Sequence, residues 1–126
     1  FSRCGIISST WTPRGCQEIT QKTKGGWRVK IEDTISKEKL LHYLNLTKEA
    51  RKKATPIHPE GSTEAEMLAV LIRMADDYAS DANYFMENGD YIRAFGAINY
   101  AHAWIDAGIK LKLLDGHGDD ELFTLP

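Results

Sequence analysis

"DYASDANYFMENGDYIRAFGAINYAHAWIDAG", residues 77–108, decides the fold. Asn88-Gly89 can stop one helix with a left-handed cap, and Asp90 can start the next one immediately. On the N-terminal side, Met67, Leu71, Met74, Tyr78, Ala82 and Phe85 recur at spacings of three and four. Leu68, Ala75, Ala79 and Met86 widen that stripe into a broad apolar face. On the C-terminal side, Ala94, Ile98, Ala101, Ile105, Gly108 and Ile109 form a central stripe flanked by Phe95 and Trp104. A turn this short forces the two helices antiparallel. Alanine and glycine at 75, 79, 82, 94, 97, 101 and 108 let their backbones come close.

Working outward, Thr63-Glu64-Ala65-Glu66 reads as a capping box for the first hairpin helix, which predicts a helix over about 64–88. The second should run over about 91–114 and leave through Asp115-Gly116. Upstream, Ser36 is an N-cap, and Ile35 and Leu40 can form a hydrophobic staple. Leu40, Leu41, Leu44 and Thr47 continue that helix, over about 36–54. It ends in Lys48, Arg51, Lys52 and Lys53, which suit the negative end of the helix dipole. "TPIHPEGS", residues 55–62, reads as a linker because its two prolines cannot continue a helix, and His58 within it reads as solvent-exposed. The fold class is therefore all-α: an antiparallel three-helix bundle with a long helical hairpin. Residues 29–116 form the bundle domain. Residues 117–126, "HGDDELFTLP", form an acidic C-terminal tail whose Leu122, Phe123 and Leu125 can fold back on the bundle or bind a partner, with a frayed or loosely docked tail the favoured expectation.

Residues 1–28 differ in kind. They hold five Lys or Arg against one acid, whereas the remaining residues hold eleven basic against seventeen acidic ones. They show neither helical nor strand period, and they read as a basic irregular arm. A second reading is a translated upstream leader. Lys24-Gly25-Gly26 can be encoded with a ribosome-binding sequence, and Val29 can be a GTG start codon. Both cysteines, Cys4 and Cys16, lie in this arm without zinc-like partners, and a disulfide between them is weakly supported. The cysteine-free body fits a reducing cytoplasm.

Composition limits function. The acidic body argues against a nucleic-acid surface, which needs clustered Lys and Arg. No apolar run reaches the ~20 residues of a membrane span, so no membrane association is expected. There is no phosphate-binding glycine loop and no nucleophile with an adjacent base, so no catalytic residue, cofactor or metal is assigned. The Arg-to-His spacing of some helical-hairpin nucleases is also missing, since Arg93 precedes His102 by nine positions.

Two resemblances attach to the hairpin. Phe85 to Ala101, with Gly89, Asp90, Tyr91, Ala94 and Ile98, is similar to the turn and second helix of a tetratricopeptide unit. That architecture needs several copies, and only one is present. More specifically, the segment from about Val29 to Gly116 resembles a family of small archaeal proteins, domain-of-unknown-function family 357. The residues carrying this likeness are those quoted at the outset, preceded by a proline-containing linker and a short first helix. The resemblance implies a three-helix bundle in an archaeal cytoplasmic protein, with no established activity or cofactor.

Two constellations compete as functional candidates. Asn99, His102 and Asp106 fall near one another on the second hairpin helix, with His102 and Asp106 one turn apart. As a site, this trio would bind a small polar ligand or a metal, with a carboxylate orienting an imidazole. As structure, His102 would pack at the core edge and bond to Asp106 or to the first helix, and this reading weighs more. Tyr84, Tyr100 and Trp104 lie off the centre of the apolar stripes. They would form a protein interface unless another element covers them. The leading functional expectation is a non-enzymatic helical interaction module with a protein partner or with itself. A small ligand-binding protein or enzyme built on His102, Asp106 and Asn99 is the alternative.

Overall fold

The computed structural model describes residues 29–126. The expectations for residues 1–28, including the leader and any pairing of Cys4 with Cys16, lie outside the described residues. Val29–Asp33 carries no regular structure, and Thr34–Pro126 forms one compact unit. Its elements are α1 (Lys37–Lys53), β1 (Thr55–Pro56), α2 (Thr63–Glu87), α3 (Tyr91–Lys110) and β2 (Leu114–Asp115). The expected all-α bundle with a helical hairpin is what the chain forms.

Each helix begins on a side-chain cap. Ser36 Oγ accepts from the Lys39 N–H of α1 at 3.1 Å, and Asp90 Oδ1 accepts from the Arg93 N–H of α3 at 3.1 Å. For α2 the cap is Ser62, whose Oγ accepts from Ala65 at 3.2 Å, so Thr63 is the first helical residue and not the cap expected from the sequence. Ser62 also donates to the Pro59 carbonyl, which the loop's proline turn places within reach.

The α2–α3 turn closes with two backbone bonds. Gly89 N–H donates to Met86 O at 3.0 Å and Asp90 N–H to Phe85 O at 2.9 Å, with Gly89 at φ +77°. This paired closure with a left-handed residue satisfies two orphan carbonyls at the end of α2. Asp90 thus ends one helix with its backbone and starts the next with its side chain.

The end of α3 repeats the same device four residues earlier than expected. Lys112 N–H donates to Ile109 O and Leu113 N–H to Gly108 O. Here the left-handed position, φ 58°, is held by Lys112. The chain then turns back as β2, which pairs antiparallel with β1 in the register Thr55↔Asp115 and Pro56↔Leu114. The segment expected to be a plain linker therefore starts as a strand. His58 is half-buried, and its Nε2 donates to the Lys112 carbonyl at 3.1 Å, which corrects its expected exposure.

The core is two clusters. One gathers Leu40 and Leu44 of α1, Ala82 of α2, and Ala94, Ala97, Ile98 and Ala101 of α3, with Ile35, Tyr43 and Phe95 at its margin. The other gathers Ala50, Leu68, Ala75, Ile105, Ile109, Leu113, Leu114 and Phe123. The alanines that permit the close α2–α3 approach are fully buried at Ala82, Ala94 and Ala101. Gly108 serves a different neighbour: a Cβ there would stand 2.8 Å from Leu114 Cδ1, so the missing side chain makes room for β2. Met67 and Leu41, placed on apolar stripes by their spacing, are 50% and 36% exposed.

Residues 117–126 are not frayed. Phe123 is 3% exposed inside the second cluster, where its ring fills the space left by Gly116. Asp119 fixes the local turn by accepting from the Glu121 and Leu122 N–H groups, both at 3.0 Å, while Lys53 Nζ donates to its other oxygen at 2.7 Å.

Candidate functional site

His102 sits one side chain away from three elements. Its Nε2 lies 2.7 Å from the Leu122 carbonyl, and its Nδ1 lies 3.0 Å from Thr47 Oγ1. A carbonyl can only accept, so Nε2 carries the proton. In the neutral ring Nδ1 then accepts from the Thr47 hydroxyl. Thr47 is 5% exposed, so this bond satisfies a buried hydroxyl on the packed face of α1. The imidazole thereby joins α1, α3 and the tail.

Asp106 stands beside it but serves the tail. Its Oδ1 accepts from the Thr124 N–H at 2.9 Å and its Oδ2 from the Thr124 hydroxyl at 3.4 Å. Its distance to His102 Nε2 is 3.9 Å, longer than a hydrogen bond. Asn99 joins neither residue: it is exposed and donates to the Phe95 carbonyl of its own helix at 2.9 Å. The structure thus brings His102 and Asp106 together around the tail and leaves Asn99 apart. Both ring nitrogens of His102 and both oxygens of Asp106 have protein partners. Among the described residues, no group of three His, Cys, Asp or Glu is placed to hold a metal ion.

The Lys53 ammonium, and behind it the Leu122 and Glu121 N–H groups, hold the Asp119 carboxyl below the usual carboxylate range. The tail is therefore tied by charge at Asp119, by the imidazole at Leu122, by Phe123 in the core and by Asp106 at Thr124. Lys110 also donates to the Leu125 carbonyl. No short motif advertises this partnership. Thr47, His102 and Leu122 are separated by 55 and 20 positions, and one partner is a backbone carbonyl.

The aromatic candidates divide. Tyr84 is 63% exposed near the hairpin turn, with its ring edge against Phe85. Arg93 covers that Phe85 ring and pairs with Asp90 at 3.1 Å. Tyr100 and Trp104 are half-buried and belong to an edge-to-face ladder, Tyr78–Tyr100–Trp104, that crosses the α2–α3 seam. Trp104 packs against the second core cluster, and its Nε1 is buried with no hydrogen-bond partner among the described residues.

A surface absent from the sequence expectations continues this ladder. At 3.6 residues per turn, Trp104 and Leu111 lie on one stripe of α3, and Met67, Leu71 and Tyr78 on one stripe of α2. Met67, Val70, Leu71, Leu111 and Leu113 line a shallow depression of about 460 Å³. Val70 and Leu111 are each 64% exposed. Met67 and Leu71 follow the core spacing, but that spacing does not say whether a third helix covers their stripe, and α1 packs along α3 elsewhere. A second groove, of about 320 Å³, runs between α1 and α2 over Ile98 and Ile105, with Arg51 and Asp76 paired at 2.9 and 3.2 Å on its rim. It exists because α1 packs mainly along α3, so it does not cover the whole apolar furrow of the hairpin as expected.

Among the described residues, no helix is long and apolar enough to cross a membrane. The model of the family described as "Protein of unknown function (DUF357)" matches residues 42–114, from within α1 to the start of β2. Neither the curated proteins nor the solved structures hold a significant match to the chain.

Proposed function

The chain belongs to the DUF357 family, and we propose that it works as a non-enzymatic protein-interaction module in an archaeal cytoplasm. One observation carries the reading. Met67, Val70 and Leu111 form a contiguous apolar surface at half to two-thirds exposure, beside the Tyr100–Trp104 ladder. Scattered exposed leucines need no explanation, but a continuous patch rimmed by polar residues marks a contact surface. The aromatic residues that border it suit a contact surface, since Tyr and Trp are enriched in protein interfaces. Trp104, two turns before Leu111 on the same stripe, and its neighbour Tyr100 border this face, whereas Tyr84 stands apart, exposed near the hairpin turn. The setting draws on the likeness of the hairpin to archaeal proteins and on the absence of cysteine after residue 28.

Site-specific photo-crosslinking tests the reading. A photoreactive residue at Leu111, exposed in extracts of the source cells, should give a discrete adduct, with a second copy or with another protein. The same residue at Glu49, exposed on α1, should not. Val70→Glu should abolish the adduct at Leu111. Equal labelling at both positions, or an adduct indifferent to Val70→Glu, overturns the proposal.

A further inference from the structure

We infer that the partner of the Met67–Val70–Leu111 face is a basic amphipathic helix, a conclusion that rests on the interaction reading above. The argument comes from what flanks the apolar stripe. On α2, Glu66, Asp77 and Asp81 lie along the edge next to Val70, about 16 Å and 6 Å apart along the axis at 1.5 Å per residue. All three are exposed. Glu66 and Asp81 make no ion pair with another described residue. Asp77 meets only Arg73, at 3.9 Å, with both side chains mostly in water.

The opposite edge, on α3, carries Gly96, Ala103 and Ala107, and its two exposed cations are already engaged, Arg93 with Asp90 and the Phe85 ring and Lys110 with the Leu125 carbonyl. The face therefore has an apolar floor, one acidic wall and one nearly neutral wall. A helix laid on it would place apolar residues at i, i+3, i+4 and i+7 on the floor and Lys or Arg along one flank. A second copy fits this pattern poorly, because its own acidic wall would have to approach the first or leave the carboxylates unmatched. An anionic lipid surface is repelled by the same carboxylates.

The probe is a synthetic helix of Leu and Lys with its leucines on one face, titrated into isotopically labelled full chain. Its control replaces every Lys with Glu. The Leu/Lys helix should shift the amide resonances of Val70, Leu71 and Leu111. The double variant Glu66→Gln, Asp81→Asn, which touches only exposed side chains, should weaken binding roughly threefold to tenfold. It should also flatten the dependence on salt. Equal binding of the Leu/Glu helix, shifts centred elsewhere, a peptide-free dimer that occupies this face, or preferential binding to phosphatidylglycerol vesicles would each overturn the inference. A Leu111 adduct together with failure of the Leu/Lys helix overturns the partner chemistry alone, whereas loss of the adduct removes the interface itself.

Discussion

At the scale of single residues, His102 and Lys112 show how the chain uses groups that the sequence presents ambiguously. Of the two partners the spacing allowed His102, it takes the first helix, through Thr47, rather than Asp106, and it adds a tail carbonyl that no spacing announces. Thr47→Val should leave Nδ1 facing a methyl group and cost about 1–2 kcal/mol in urea unfolding. An unchanged midpoint would mean that the bond contributes nothing net. Lys112 holds a left-handed backbone at φ 58° that a side chain disfavours by roughly 1 kcal/mol. Lys112→Gly should therefore raise stability by about 0.5–1 kcal/mol, read by thermal or urea denaturation, less what glycine adds to the freedom of the unfolded chain. A loss of stability would show that the lysine side chain contributes more than its backbone costs.

Among elements, the helices were the readable part. Ser36, Gly89 and Asp90 act where local capping chemistry puts them. The ends that departed from expectation are those set by distant contacts. Helix α3 stops at Lys110 because Leu113 and Leu114 turn back into the core, and no glycine or proline announces that stop. The tail docks more firmly than its acidic composition suggests, because one of its apolar residues, Phe123, is deeply buried. Its anchor can be probed with acid. Asp119 is held below the usual carboxylate range chiefly by Lys53, so its contribution to docking is complete above about pH 4. That contribution is lost as pH falls through the lowered value. The amide resonances of Leu122 and Thr124 should shift toward free-chain positions over that range. Asp119→Asn keeps the turn but not the charge, and it should remove this acid step. If the step persists in the variant, another carboxylate governs the tail.

For the molecule as a whole, the family match covers Thr47 and His102 but ends before the tail residues that complete their arrangement. The bundle was legible in the periodicity of the hairpin. The exposed Met67–Leu111 face was not, because spacing alone cannot tell a stripe covered by a third helix from one left open. Only the path of α1, along α3 and away from that side, separates the two cases.

The division of the core into two clusters has a consequence for how the fold comes apart. One cluster is built from the hairpin turn and the first half of α1, the other from the tail, the strand pair and the far ends of the helices. Nothing requires both to open at once. The second depends on Phe123 and on a two-residue strand pair, so it should open with the smaller free energy. Native-state amide exchange should then show Leu113, Leu114 and Phe123 exchanging together through a partial opening. The amides of Ile98 and Ala101 should wait for the whole chain to unfold. A single shared exchange free energy across both groups would show one cooperative unit. Two values would show a protein with a durable half and a half that breathes.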